Sequence, residues 1–262
     1  MKRISIELEK AIINDYKNHI GTIAISKKYN ISRTTVQKYL IKNNITFNKH
    51  PVTSRIFNHN FFSTYNPESC YWAGFILADG YVRANRNSLE ILLSNIDDEH
   101  LLNFTMLLGL KEDIRRYYKN ACGITICSDT IKQALCENFD IVNKKSLICF
   151  ISNKIPKQFL HHYIRGYFDG DGCFSNEKRF SFVGTLATCQ FIGEFFKENG
   201  ITKTNGEIPT ICQKKDKNIL YSIKYSKSQS EKIFKLLFKD STEHTRLKRK
   251  YEKIFSYLHS IH

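Results

Sequence analysis

Two aspartates 92 residues apart, Asp79 and Asp171, each stand between a small residue and a glycine, in Ala78-Asp79-Gly80 and Gly170-Asp171-Gly172. Each closes a segment that reads as a largely apolar helix, CYWAGFILADG (70–80) and FLHHYIRGYFDGDG (159–172). A carboxylate at a helix C-terminus faces the negative end of the helix dipole, and two carboxylates brought together repel. A divalent cation offsets both penalties. Hard oxygen ligands suit Mg²⁺ or Mn²⁺, which keep waters and are completed by substrate phosphate. That is the layout of metal-assisted phosphodiester hydrolysis. Taken singly, either Asp could merely close a turn before its Gly; two related copies favour a paired site.

The elements that must hold the two acids are legible around them. Asn66-Pro67-Glu68 is a helix start, with Asn as cap, Pro in the first turn and Glu toward the positive dipole end. Pro156 is placed to open the second helix in the same way. Small residues recur four apart, Gly74 with Ala78 and Gly166 with Gly170, and so share a helix face. Glycine inside a helix costs about 1 kcal/mol relative to alanine. A close approach of the two helices is a reason to keep it. Downstream the two copies repeat one order: helix, two strands, helix, two strands, helix. A basic terminal helix, EHTRLKRKYEKIFSYL, follows the second.

Ahead of the repeat, residues 1–46 read as three short helices. The expected inward positions are Ile6, Leu8, Ala11, Ile12 and Tyr16, then Ile23, Ala24 and Ile25, then Val36 and Leu40. Thr22 and Ser32 are candidate caps, and Asn30 suits the turn. The arrangement resembles a helix-turn-helix. Arg33, Thr34, Thr35, Gln37 and Lys38 on its third helix would face phosphates and base edges. A small bundle with solvated lysines is the alternative. Residues 47–66 read as a linker, 67–150 as the first half and 151–262 as the second.

The 262 residues carry a net charge of +15. It splits unevenly, as +7 on 1–50, −1 on 51–150 and +9 on 151–262. The basic excess points to a polyanionic partner, and the unevenness is not what a uniform codon bias gives. A 42% hydrophobic content excludes a wholly disordered chain. No apolar run of about 18 residues argues for a membrane span, and the start has no signal-like apolar core. Eight cysteines without CxxC pairs read as small buried hydrophobes in an intracellular, reducing compartment.

WAGFILADG (72–80) and IRGYFDGDG (164–172) resemble the LAGLIDADG motif of homing endonucleases. The first keeps Ala73, Gly74, Ile76, Ala78, Asp79 and Gly80; the second keeps Gly166, Asp169, Asp171 and Gly172. Trp72, Leu77 and Arg165 depart from the motif. The resemblance implies an α+β protein of two pseudo-symmetric αββαββα halves forming a DNA-binding saddle. It implies a monomer that cuts both strands of double-stranded DNA at a specific site. Asp79 and Asp171 would hold the metal with the carbonyls of Ala78 and Gly170, and a Lys or Gln near each site would order the attacking water.

Lys224 is the candidate for that role in the second half, with Thr125 at the matching first-half position. Alternation in LYSIKYS puts Tyr221, Ile223 and Tyr225 inward and Ser222, Lys224 and Ser226 toward DNA. Arg83, Arg86, Lys178 and Arg179 flank the strands after each Asp as further DNA contacts. The alternative for each basic residue is a solvated strand edge. A non-catalytic DNA-binding regulator and an RNA maturase are alternative functions for the scaffold. Retention of both acids favours the enzyme, and the helix-turn-helix favours DNA over RNA.

Overall fold

Ser32 fixes where the last helix of the N-terminal unit begins, because its hydroxyl accepts the Thr35 N–H at 3.0 Å. The computed structural model describes residues 4–17, 20–45, 57–83, 87–110, 115–117, 120–142, 150–202, 208–215 and 218–259. It divides into a unit at 1–56 and a unit at 57–262. In the first, α1 (Ile6–Lys17), α2 (Thr22–Lys28) and α3 (Arg33–Lys42) enclose fully buried Ile12, Ile25, Val36 and Leu40. Asn30 turns the chain between α2 and α3 at φ 48°. Three expected inward positions face out: Ile6, Ile23 and Ala24 are exposed. The helix is too short to bury more than one stripe, and Thr22 and Ile25 supply it. Thr22 lies inside α2, with Gly21 as its N-cap and no side-chain cap.

Phe57, Phe61, Phe62 and Tyr65, expected in a linker, pack instead into the core of the second unit. The Tyr65 hydroxyl donates to the Asn138 carbonyl at 2.9 Å, and the Asn58 N–H to that of Leu108 at 2.8 Å. Residues 47–56 of the expected linker lie outside the described residues.

The second unit repeats one pattern twice. The first copy is α4 (Pro67–Asp79), β1 (Gly80–Val82), β2 (Ser88–Ser94), α5 (Asp98–Leu107), β3 (Arg115–Tyr117), β4 (Ala121–Cys127) and α6 (Asp129–Phe139). The second is α7 (Leu160–Asp171), β5 (Cys173–Phe174), β6 (Phe180–Gly184), α8 (Leu186–Glu198), β7 (Thr210–Lys215), β8 (Asn218–Lys224) and α9 (Ser230–Phe238). A terminal helix, α10 (Lys248–His259), follows. The two antiparallel sheets have matching orders, β1-β2-β4-β3 and β5-β6-β8-β7. No helix among the described residues is long and apolar enough to cross a membrane.

Alternation gives each sheet one buried face. Ile223 and Tyr225 are buried and Lys224 and Ser226 exposed, as expected, while Tyr221 is only half-buried. Ser222 is buried, against expectation, because Thr210 of β7 pairs across from it and its hydroxyl lies 3.3 Å away. Of the seven described cysteines, Cys70, Cys122 and Cys189 are buried as expected. Cys127, Cys136, Cys173 and Cys212 are exposed, since strand and helix alternation turns them outward; all seven are free thiols.

The two motif helices form the seam between the copies. Asn66 and Ser69 cap α4 reciprocally, at 2.7 and 3.0 Å. Pro156 opens a 3-10 turn, Lys157–Phe159, so α7 starts later than expected, at Leu160. Where the helices cross, a β-carbon on Gly74 would fall on the Tyr163 carbonyl, and one on Gly166 on the Tyr71 carbonyl. Backbone cannot move aside as a side chain can. Gly166→Ala is therefore expected to lower stability by about 3 kcal/mol, the upper end for overpacking. Urea unfolding of the purified protein measures it.

Candidate active site at the ends of the motif helices

Asp79 and Asp171 are the last residues of α4 and α7, and both side chains are exposed. The glycines that follow are extended, Gly80 at φ −78° and Gly172 at φ −83°. Neither Asp-Gly pair is a left-handed helix stop, so the turn-closing explanation for the motif loses its physical basis. The helix ends meet: a β-carbon on Gly170 would collide with that of Ala78 and would lie 3.4 Å from Asp79 Oδ2. Ala78, Asp79 and Gly170 thus come together, and Asp171 is the next residue of the chain. This set of carboxylate and carbonyl oxygens fits a hard divalent cation.

The Gly170 carbonyl already has a partner. Lys250 Nζ donates to it at 3.2 Å, to Phe168 O at 2.8 Å and to Gly172 O at 2.6 Å. Burial lowers the Lys250 pKa, while the nearby Asp169 and Asp79 charges raise it. Nothing but a basic terminal helix pointed to this in the sequence, because no local spacing links residue 250 to residue 170.

Behind the exposed acids lies a buried polar chain. Asp169 Oδ2 accepts from the Tyr71 hydroxyl and from the Leu247 N–H, both at 2.7 Å. With its proton committed to Asp169, Tyr71 Oη accepts from His100 Nε2 at 3.0 Å. Burial pushes the Asp169 carboxyl up to about 6, against the pull of Lys250, Tyr71, the Leu247 N–H and Arg165. Burial, with Arg249 and Lys250 adding to it, holds His100 down at about 3. Trp72 stacks on His100 and Phe104, with centroids 4.5 and 4.3 Å away, and donates Nε1 to His244 O at 3.1 Å.

Arg165, a departure from the motif, is fully buried. It donates Nε to Thr245 O at 2.7 Å, and its other nitrogens to Leu237 O, Asp240 Oδ1 and His162 Nδ1. Leu237 lies in the last turn of α9, and Asp240 and Thr245 in the segment joining α9 to α10, so Arg165 anchors that segment to the motif helix. His161, His162 and Asp240 also converge at metal-ligand spacing. Arg165 only donates, so His162 Nδ1 must accept and Nε2 of the neutral ring carries the proton. In that tautomer Nε2 carries its proton 3.4 Å from Asp240 Oδ2, and His162 has no lone pair for a cation.

A search of solved structures returns I-AabMI, a LAGLIDADG meganuclease bound to uncleaved DNA, at TM-score 0.50 and 16% identity, covering 75% of this chain and 90% of that one. The fold is the LAGLIDADG fold. The same search returns I-SmaMI bound to uncleavable DNA (TM-score 0.49, 12% identity, 74% and 89% coverage). It also returns I-DmoI in complex with DNA and Ca (0.48, 15%, 75% and 98%). No protein-family model and no curated protein sequence matches the chain.

Within this fold the strand register locates the remaining candidates. Tyr81, Glu90 and Thr125 form one row across the first sheet, and Cys173, Ser181 and Lys224 the equivalent row across the second. Tyr81 and Cys173 each lie two residues past an acid, so Thr125 is the positional counterpart of Lys224. Lys224 is exposed, two strands from Cys173 and therefore about 10 Å from it along the sheet. Arg83 pairs with Glu90 at 2.8 Å. Lys178 sits in the β5–β6 turn with its ammonium 3.7 Å from the Tyr257 ring centroid, and Arg179 pairs with Glu177 at 3.2 Å. Arg86 lies outside the described residues. On α3, Thr34 and Lys38 are exposed, while Arg33, Thr35 and Gln37 are half-buried, and Arg33 Nε donates to Thr22 Oγ1 at 3.2 Å.

The buried acid makes a pH prediction. A carboxyl whose folded pKa is above its unfolded value makes the folded state lose stability as pH rises through the interval. The interval here runs from the ordinary value of 3.8 to about 6. The histidines held low act in the opposite sense over an overlapping range. Comparing the wild type with Asp169→Asn isolates the acid. Denaturant unfolding should show wild-type stability relative to the variant falling by about 2 kcal/mol between pH 4 and pH 6.5. A difference constant with pH would contradict the assignment.

Proposed function

We propose that the chain is a site-specific, divalent-metal-dependent endonuclease acting on double-stranded DNA as a monomer. The observation that carries this is the meeting of two repeat-related helix ends, each presenting an exposed aspartate, in the LAGLIDADG fold. Mg²⁺ or Mn²⁺ bound there would supply a Lewis acid and an activated water. Asp79 and Asp171 hold the ions, with the Ala78 and Gly170 carbonyls beside them. Lys224, exposed on the second sheet, is placed to orient water in that half, and Thr125 offers no equivalent charge. Arg83, Lys178, Arg179 and Lys224 position the phosphate backbone. The +9 on residues 151–262 supports tighter phosphate binding there than on residues 51–150, which carry −1. The N-terminal unit acts as a helix-turn-helix that reads a separate stretch of groove through α3. The free thiols are consistent with a reducing, intracellular setting.

Selection of cleaved duplexes from a randomised library in Mg²⁺ should yield one site, cut on both strands by the wild type. Asp79→Asn and Asp171→Asn should each bind that site and fail to make double-strand breaks. If the wild type binds a duplex tightly but cuts none, the chain is a DNA-binding regulator instead.

For the reading head, Lys38→Ala should weaken binding about equally across sequences and reduce the salt slope by about 1. Cleavage at saturating protein should not change. Fluorescence anisotropy over a salt series distinguishes this from a solvated lysine, whose loss would leave the slope where it was.

A further inference from the structure

The repeat accounts for α4 through α9 and leaves α10 over. Residues 243–253, which lead into and form the start of that helix, bind both halves at the ends of the motif helices. From the first half, Trp72 donates to His244 O, Asp97 takes Arg249 in two bonds of 2.7 and 3.0 Å, and Glu99 pairs with Lys248 at 3.2 Å. From the second, Arg165 donates to Thr245 O, Asp169 accepts from Leu247 N, and Phe174 O accepts from Lys253 at 2.9 Å. The segment is a strap held at both ends, and Lys250 is in the middle of it.

Lys250 has three ammonium donors and three carbonyl acceptors within 3.2 Å, at residues 168, 170 and 172. Phe168 O also accepts the Gly172 N–H at 2.9 Å, whereas Gly170 O, in the last turn of α7, and Gly172 O, just past it, lie where a helix supplies no N–H from within. They bracket Asp171 on both sides. A cation at this end also offsets the repulsion between the helix dipole and the Asp171 carboxylate. We propose that Lys250 is the positioning residue for Asp171, holding the last turn of α7 in the geometry that presents this carboxylate next to Asp79. The proposal rests on the nuclease reading for its catalytic consequence but not for its structural one. The second active site is then set by a strap that has no counterpart among the described residues of the first half.

The test compares the full-length wild type with Lys250→Met, Lys250→Arg and, as a strap control, Lys253→Met. Hydrogen exchange in the metal-free protein reads the structure. Lys250→Met should speed exchange in a peptide spanning 168–174 while one spanning 76–82 is unchanged. Strand-resolved cleavage reads the consequence. Lys250→Met should slow cutting of one strand, the one assigned to the second site, by about 10–100-fold, the usual cost of a small misplacement. Nicked DNA should accumulate, with KM and the melting midpoint close to wild type. Lys250→Arg should restore most of the lost rate, and Lys253→Met should cut both strands normally. Unchanged exchange at 168–174 overturns the proposal. So does equal slowing of both strands with a lowered melting midpoint, which is the mark of a strap that only holds the fold together. Local exchange that changes in a protein unable to cut any duplex supports the positioning role and overturns the nuclease reading alone.

Discussion

The second unit depends on one contact, the laying of two helix backbones against each other without side chains between them. Gly74 sits on the Tyr163 carbonyl and Gly166 on that of Tyr71, in a reciprocal pair. This fixes the crossing point to within the size of a methyl group. Because the same face continues as Ala78 and Gly170, the helices stay close to their last turn. The acids at those ends are therefore placed by a constraint that begins several residues away. The sheets follow from it too, since β1 starts one residue after Asp79 and β5 two after Asp171, and each inherits its position.

Closeness of that kind concentrates unfavourable charge, and the surrounding residues are arranged against it. The carboxylates of Asp79 and Asp171 stay in water. Asp169, which is fully buried, has its pKa raised and is held by a tyrosine hydroxyl and a backbone N–H. Lys250 adds a positive charge at the negative end of the α7 dipole, donating to the carbonyls of Phe168, Gly170 and Gly172. Arg165 is buried without strain on its charge because backbone carbonyls and Asp240 accept from it. A buried guanidinium is tolerated when its donors are matched in this way.

What the sequence disclosed, and what it withheld, follows from the range of each interaction. The cap at Asn66, the small faces of the motif helices, the doubled element order and the pairing of Thr125 with Lys224 are local or periodic, and each was legible. The packing of Phe57, Phe61 and Phe62 was not, since a stretch without period looks like a connector until its partners are known. Pro156 opened a 3-10 turn in place of the helix because the first bonds there are of the tighter kind. The roles of Arg165, Asp169 and Lys250 depend on residues about 80 positions away. No spacing rule reaches that far, so the exposed chemistry of the site was readable and its buried support was not.

The strap gives a pseudo-symmetric pair a direction. A twofold arrangement of identical halves would present the same surface on either side of the seam, and either half could stand in for the other. Here the acceptors for Arg165 and Trp72, at Thr245 and His244, and the donor to Asp97, Arg249, come from a single stretch of chain, which has no counterpart among the described residues of the first half. The halves are therefore not interchangeable parts. A left half and a right half are distinguished by what binds the tail, so recombining either with a half from another chain transfers a complementary seam only if residues 243–253 travel with it.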